Sequence, residues 1–302
     1  MSILKDLWTA ELLTKFRHDA LFLSRIKSED DKVNFNAIHL ADIGADPAVL
    51  VNNTTYPIAV NTRTDADVTI SLDKFDTENT AVTRDELHGL PYDKGASVID
   101  QHKNVLEEKT ADKAAHSLCP ATAVADTTAL IMTTGASNGA TNPRKVMTFA
   151  EIIAAKKFMD DLKVPKKGRI LVLCSDHVND LLNADEKFRD QYKNMVTGQI
   201  LSAYGFDIYE YGEIPKYKVV ATVLTKKAWA AAADAANDQA ASFFFYAPRV
   251  FQAKGTADMF YQDATTNPEY RRSVVGFQMY HICMPKKTIG FGAIVSTIVS
   301  GT

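Results

Sequence analysis

The chain has 302 residues, of which 46% are hydrophobic and 24% are charged. This is the composition of an ordinary globular protein with one large domain or two smaller ones, and it excludes a wholly disordered chain. The formal net charge of −3 excludes the strongly basic balance of a dedicated nucleic-acid binder.

The chain has few cysteines, and their spacing indicates no paired motif. The three cysteines are Cys119, Cys174 and Cys283. None belongs to a C-x-x-C pair, and an odd number argues against a disulfide framework, so we expect a reducing compartment. No apolar run is long enough to cross a bilayer, and we therefore expect no membrane partner.

The first part of the chain carries an amphipathic pattern. Its apolar side chains recur at helical spacing from Ile3 to Phe16 and include Leu7, Trp8 and Leu12. This spacing predicts a helix that docks on its own subunit or on a neighbouring one.

Residues 45–82 have a different pattern, in which apolar and polar residues alternate. The alternating apolar positions are Tyr56, Ile58, Val60, Val68, Ile70 and Leu72. With a turn at Thr64–Ala66, the pattern predicts a long β-hairpin between residues 56 and 72. An isolated hairpin is marginal in water, so this one needs another surface to lie on.

A long and rather polar helix is predicted next, from about Ala96 to Ser117, after a break at Gly89 and Pro91. Its few large apolar side chains are Val98, Ile99, Val105 and Leu106. Such a helix is only partly covered by its own subunit.

The middle of the chain is predicted to form a compact α/β unit. A helix over residues 148–162 begins with a capping box made by Thr148 and Glu151. Further predicted elements are a buried strand at Ile170–Leu173, a helix with Val178 and Leu181 inward, a helix-turn-strand unit over Gly198–Tyr211, a strand at Val219–Leu224 and an Ala-rich helix at Trp229–Ala236.

The C-terminal part has the character of strands. Phe243–Tyr246 is a short apolar run. Ser273–Met284 and Thr288–Ile298 are longer runs separated by a tight turn, which predicts that they pair with each other antiparallel. Gly290 and Gly292 flank Phe291 in this context and indicate close packing or a bulge.

The consecutive residues Cys174, Ser175, Asp176 and His177 suggest an active site at first sight. Catalysis needs a nucleophile and a base within hydrogen-bond reach, and side chains adjacent in sequence point to different sides. The alternative is purely structural: Cys174 fills space at the end of a strand and Ser175 caps the following helix. The missing nucleophile-elbow pattern favours the structural interpretation.

Other chemical motifs are absent from the sequence. The seven histidines show no metal-ligand spacing, and His281, inside an apolar strand, is expected to be a core or interface residue. No glycine pattern typical of phosphate binding occurs. Basic pairs such as Lys166–Lys167 and Lys286–Lys287 are interpreted as solvated turns or helix ends. These features favour a building block over an enzyme.

The order of elements resembles that of the major capsid protein of tailed bacteriophages. The most similar stretches are Glu86–Lys94 (ELHGLPYDK), Gly168–Leu182 and Arg272–Phe277 (RSVVGF), and the resemblance covers essentially the whole chain. It implies an α+β chain with the Hong Kong phage-type capsid fold. The implied segments are an N-terminal arm (1–44), an extended β-hairpin loop (45–82), a spine helix of the peripheral domain (83–118), an axial α/β domain (119–242) and the peripheral-domain strands (243–302).

In one class of these capsid proteins, an isopeptide cross-link joins a hairpin lysine to a peripheral-domain asparagine of another subunit. Lys74 and Asn267 are the matching residues by region, although no catalytic Glu can be assigned. The segment before the hairpin leaves little room for a built-in scaffolding segment. The resemblance therefore implies a separate scaffolding protein.

The function implied by the resemblance is structural. Copies of the chain would assemble into hexamers and pentamers of an icosahedral virion capsid around double-stranded DNA. The implied partners are further copies, a scaffolding protein, a portal and non-specifically contacted DNA, with no enzymatic activity, cofactor or metal. Two alternatives stay open: an encapsulin-type compartment shell with the same fold, and an α/β enzyme that uses Cys174 and His177.

Overall fold

A computed structural model describes residues 20–298 except for 35, 43, 45–46, 61, 90–92, 140–142, 194–198, 221–222, 235–236 and 268. The predicted N-terminal helix at Ile3–Phe16 lies outside the described residues. The α-helices are α1 (Arg84–Gly89), α2 (Lys94–Leu118), α3 (Phe149–Asp161), α4 (Ser175–Ala184) and α5 (Glu186–Lys193). No helix within the described ranges is long and apolar enough to cross a membrane.

The strands form three sheets. Their bounds are β1 (Lys27–Ser28), β2 (Ala37–Asp42), β3 (Ala66–Ser71), β4 (Asp73–Asp76), β5 (Thr80–Thr83), β6 (Thr128–Met132), β7 (Arg169–Leu173), β8 (Gln199–Ala203), β9 (Phe206–Glu210), β10 (Lys216–Val220), β11 (Val223–Lys226), β12 (Asp238–Tyr246), β13 (Val250–Gln262), β14 (Arg272–Pro285) and β15 (Phe291–Val295).

The sheet that contains β6–β12 and β15, here called the central sheet, is buried on both faces. Alternate residues of β7 point to opposite sides, so Ile170 and Val172 enter one apolar cluster while Leu171 and Leu173 enter the other. The first cluster contains the C-terminal half of α2, and the second contains α3 and α4. Every residue of β7 is therefore buried, as its continuous apolar run predicts.

The second sheet, here called the ribbon sheet, follows the order β1–β13–β14–β4, with β5 also paired to β14. Its long strands β13 and β14 are antiparallel neighbours, and α2 packs against β14. The third sheet is the hairpin β2–β3. Ile38 and Leu72 join this hairpin to the ribbon sheet by packing with Phe251 and Ile282.

Several local predictions are confirmed. The long helix α2 extends slightly beyond its predicted range, and the Asp93 side chain caps it by accepting a hydrogen bond from the Ala96 backbone N–H at 3.0 Å. The capping box of Thr148 and Glu151 at the start of α3 is present. These signals lie within one helical turn, which is why the sequence alone reveals them.

The predicted hairpin between residues 56 and 72 is wrong in its first strand. Strand β3 pairs with β2, in a register that joins Ile38 to Ile70. The alternating residues Tyr56, Ile58 and Val60 lie in the connection between the two strands and form no strand themselves. Residues 73–76 and 80–83, assigned to the same hairpin loop, pair with β14 in the ribbon sheet.

The predicted pairing of the two long C-terminal runs is also wrong. Strand β14 pairs with β13, whereas β15 pairs with β12 and β6 in the central sheet. The range 243–302 is thus divided between two sheets. The apolar character of both runs is compatible with either pairing, because apolar content indicates a strand but not its partner.

Three further elements differ from their predictions. Residues 198–211 contain the hairpin β8–β9 in place of a helix-turn-strand unit. The range 219–224 is divided between β10 and β11, which form a second hairpin. The described part of the Ala-rich segment, residues 229–234, is not helical, because helix propensity is a weak prior that tertiary context overrides.

Gly292 shows why a side chain is excluded at the centre of the central sheet. It lies opposite Phe244 in the β12–β15 register, and a Cβ atom at Gly292 would come within 2.1 Å of the Phe244 ring. The close packing expected for this glycine is confirmed.

We expect Gly292→Ala to lower the free energy of unfolding by about 1–3 kcal/mol, the usual cost of overpacking a core. Chemical denaturation monitored by circular dichroism measures the change. The double variant G292A/F244L serves as the control, and it should lose less stability than the sum of the two single variants because the leucine vacates the contested space. An unchanged midpoint for G292A would contradict the packing described here.

Candidate assembly surfaces

The candidate catalytic residues Cys174 and His177 belong to a buried hydrogen-bond network. The His177 ring nitrogens lie 2.6 Å (Nδ1) from Ser242 Oγ and 2.9 Å (Nε2) from Ser296 Oγ. Ser242 Oγ also accepts the Cys174 backbone N–H at 3.0 Å. The network connects the start of α4 to β12 and to the end of β15, and its four side chains are all buried.

The electrostatics of this network oppose catalysis. Burial raises the pKa of the Cys174 thiol to about 11 and lowers the pKa of His177 to about 4, so both groups are neutral near pH 7. A reactive cysteine needs thiolate character and access. The predicted cap is also corrected: α4 begins at Ser175, its N-cap residue is Cys174, and no side chain caps it.

The other histidines of the described residues were candidates for metal ligands. His281 is buried as expected, and burial lowers its pKa to about 4. Across the described ranges, no three His, Cys, Asp or Glu side chains are arranged to hold a metal ion. The other candidate functional features of the described residues are exposed apolar surfaces.

The connection between β2 and β3 exposes an unusual amount of apolar surface. Its exposed apolar residues are Val49, Leu50, Val51, Tyr56, Ile58 and Val60. Val60 is 95% exposed and Val49 is 86% exposed. Soluble monomers rarely leave so many large apolar side chains together in one segment, and such surfaces indicate contacts with other molecules.

The outer end of the β13–β14 ribbon is a second exposed apolar surface. Met259, Phe260, Tyr261 and Tyr270 are each more than half exposed. Among the described residues, strand β13 is paired with β1 only at residues 251–252. Its outer part therefore presents an edge that no described strand covers, which is typical of a contact with another chain. The sequence analysis did not identify this surface. The exposure of these residues follows from the pairing of β13 with β14, which the sequence pattern does not reveal.

The helix α2 supplies a third surface. Ile99, Val105 and the nearby Trp229 remain more than a third exposed, in agreement with the prediction that this helix is incompletely covered. Its C-terminal end is held firmly: the Lys226 ammonium donates to the carbonyls of His116 and Cys119, each at 2.6 Å. A cation at this end also complements the helix dipole.

The two residues of the predicted cross-link are far apart within one chain. Lys74 lies in β4 opposite Tyr280, whereas Asn267 lies in the turn before β14 begins. The strand between these positions spans about 30 Å at 3.3 Å per residue. A bond between them would therefore join two copies. The Lys74 ammonium is 2.9 Å from Asp76, and this hydrogen bond raises the pKa of Lys74.

The fold matches those of solved capsid structures over nearly its whole length. A chain from Mycobacterium phage Che8 has a TM-score of 0.66 and 12% identity, with 97% of each chain covered. For the capsid structure of the cyanophage P-SCSP1u, the TM-score is 0.64 and the identity is 15%, with 97% of this chain and 93% of that chain covered. For the capsid of an empty GTA particle, the TM-score is 0.63 and the identity is 11%, with 96% of this chain and 94% of that chain covered.

These likenesses confirm the predicted Hong Kong phage-type capsid fold. At such low identity they concern the fold alone. No protein-family model matches the chain, and no curated protein matches its sequence.

The buried histidines predict a loss of stability in mild acid. In the unfolded chain a histidine binds a proton below about pH 6.5, whereas folded His177 remains neutral down to about pH 4. The unfolded state therefore binds more protons in this window, and the free energy of unfolding falls as the pH drops from 6.5 towards 4, by roughly 3 kcal/mol for His177.

Denaturant titrations at pH 7 and pH 4.5 test this linkage. The variant His177→Asn should reduce the difference in unfolding free energy between the two pH values, because Asn does not titrate there. The unmodified protein, titrated at the same two pH values, is the reference. An unchanged pH dependence in H177N would contradict the assignment.

Proposed function

We propose that this chain is the major subunit of an icosahedral virion capsid. The observation that carries the proposal is the match of about 97% of the chain to chains of phage and other capsid structures, with similar coverage of those chains. The three exposed apolar surfaces support it, because a shell subunit must keep such surfaces for its neighbours. The major capsid protein is a structural component, and no enzymatic step is part of the proposal.

The proposed assembly consists of hexamers and pentamers that enclose double-stranded DNA. A net charge of −3 is compatible with DNA that is packed by a motor and contacts the shell only non-specifically. A portal and a separate scaffolding protein are the other proposed partners. In this arrangement the central sheet belongs to the axial domain, and α2 with the ribbon sheet belongs to the peripheral domain.

The connection between β2 and β3 is the proposed main contact between neighbouring subunits. Burial of a Val, Leu or Ile side chain contributes about 1.5–3 kcal/mol, and this connection has several such side chains without cover. Laid across a neighbouring copy, the connection would gain the burial that it lacks within its own chain.

Two rival functions are distinguishable from this one. An encapsulin-type shell would enclose a protein cargo, so nuclease-protected DNA inside purified particles favours the virion and a protein cargo favours the encapsulin. An enzyme using Cys174 and His177 is disfavoured by the burial and the pKa values of both residues. Electron microscopy of the overexpressed protein is the direct test: shells or capsomers support the proposal, and a stable monomer at high concentration contradicts it.

The substitution Val60→Asp should abolish shell formation and leave a folded subunit. A carboxylate at this position cannot be buried against a neighbour without a large desolvation cost. Thr62→Asp is the matched control, since it adds the same charge at an exposed polar position two residues away. Particle yield by sedimentation and electron microscopy measures both variants. If V60D forms shells as well as the unmodified chain, this connection is not the main contact.

The cross-link between Lys74 and Asn267 of different subunits remains a separate prediction. The lysine amine would attack the asparagine side-chain carbonyl and release ammonia, which requires a deprotonated amine. Boiling purified shells in detergent tests for it: a ladder of covalent oligomers that disappears in Lys74→Arg is the expected result. A single subunit band from unmodified shells would show that no such bond forms.

A further inference from the structure

A basic cleft of about 680 Å3 lies where the hairpin β2–β3 meets the inner end of the ribbon sheet. Its lining includes the basic side chains Lys32, His39, Arg249, Lys286 and Lys287. No acidic side chain of the described residues lines it. Two carboxylates contact the lining residues from outside: Glu29 pairs with Lys32 and Lys286, and Asp67 lies 3.3 Å from the His39 ring. In a chain with a net charge of −3, such a local excess of positive charge needs an explanation.

Two of the lysines are fixed in place by one buried carboxylate. Glu29 is only 1% exposed. Its Oε1 lies 2.5 Å from the Lys286 Nζ, and its Oε2 lies 3.3 Å from the Lys32 Nζ. The more exposed Lys27 approaches Oε1 at 3.9 Å. These cations lower the pKa of Glu29 against the effect of burial, so the carboxylate is charged at neutral pH.

This arrangement leaves hydrogen-bonding capacity at the cleft. An ammonium group has three donors. Lys286 uses one of them on Glu29 Oε1, whereas Lys32 only forms an ion pair with Oε2 at 3.3 Å, an oxygen that accepts no hydrogen bond from the described residues. A single carboxylate cannot neutralise both lysines, so positive charge remains on the cleft wall. The sequence pattern indicated that the basic pair Lys286–Lys287 is a solvated turn. The ion pair of Lys286 with Glu29 shows that this interpretation is incomplete. The connection of Lys286 to Glu29, 257 residues away in sequence, left no local signal.

Arg249 contributes a positive charge to the lining of the cleft. Its Nη1 atom has no hydrogen-bond partner among the described residues but is closed off from solvent, so a ligand in the cleft would respond to the charge of the guanidinium and not to this donor. The Arg249 carbonyl accepts the Lys286 backbone N–H at 2.8 Å, which holds the main chains of these two cleft-lining residues side by side.

We propose that this cleft is a binding site for a phosphate group. A phosphate group carries one negative charge as a diester and nearly two as a monoester, and its oxygens are spread around a tetrahedral centre. This shape suits several cations that converge from different elements better than a planar carboxylate does. Arginine adds paired donors that match phosphate oxygens. The phosphate belongs to a nucleic-acid backbone or to a free anion such as pyrophosphate. The site stands on its own geometry and does not depend on the proposed shell function.

Calorimetric titration of the unassembled full-length protein with pyrophosphate, and separately with a short oligothymidylate, tests the proposal. We expect saturable binding that R249Q/K287Q weakens at least tenfold. The matched control is K166Q/K167Q, which removes the same two charges at exposed positions outside the cleft and should bind as the unmodified protein does. If pyrophosphate and oligothymidylate both bind and compete with each other, the site recognises a nucleic-acid backbone. If pyrophosphate alone binds, the site recognises a free anion.

Three outcomes would overturn the phosphate site. They are the absence of saturable binding, equal weakening in both double variants, and binding of polyglutamate in place of pyrophosphate. If R249Q/K287Q fails to fold by circular dichroism, K287Q alone is used, with a loss of at least threefold expected and unchanged affinity contradicting the site. Shell formation is scored in parallel, so a failed phosphate site is distinguishable from a failed capsid function.

Discussion

The burial of the central sheet on both faces is the constraint from which the rest of the structure follows. Strands β7 and β15 have no exposed residue, so each face needs its own cover. Helices α3 and α4 cover one face, and the C-terminal half of α2 covers the other together with Phe22. The C-terminal half of the long helix α2 therefore packs against the central sheet, and its other end extends along the ribbon sheet.

The same division of the chain explains its uncovered surfaces. The inner strands β7 and β15 of the central sheet are fully buried, and only its edge strand β11 leaves a large apolar residue, Val223, exposed among the described residues. The ribbon sheet has cover from α2 and the hairpin β2–β3 only over part of its length. The outer ribbon around Phe260 and the connection around Val60 are left exposed. Because exposed apolar surface of this kind favours association, the incomplete cover of one part of the chain gives a physical reason for the proposed assembly.

Polar groups inside the molecule act as ties between elements. The His177 network joins α4 to β12 and β15, and Glu29 joins the beginning of the described chain to the end of β14. Tyr211 donates to Asp112 of α2 at 2.8 Å, which fixes the long helix to the central sheet. Each tie connects residues distant in sequence, so residue types that suggest an active site in the sequence prove to be structural once their partners are known.

The sequence by itself determined the elements whose signals are local: the long polar helix α2, the capping box at Thr148 and the buried strand β7. It also determined the order of elements that resembles a capsid subunit. Only the tertiary structure decided which strands pair, that β14 joins β13 and not β15, and where the cation-lined cleft at Arg249 forms. The physical reason is that caps and periodicity act within a few residues. Strand pairing and burial depend on partners outside that range, from 12 residues away for Gln262 and Val274 to 257 for Glu29 and Lys286.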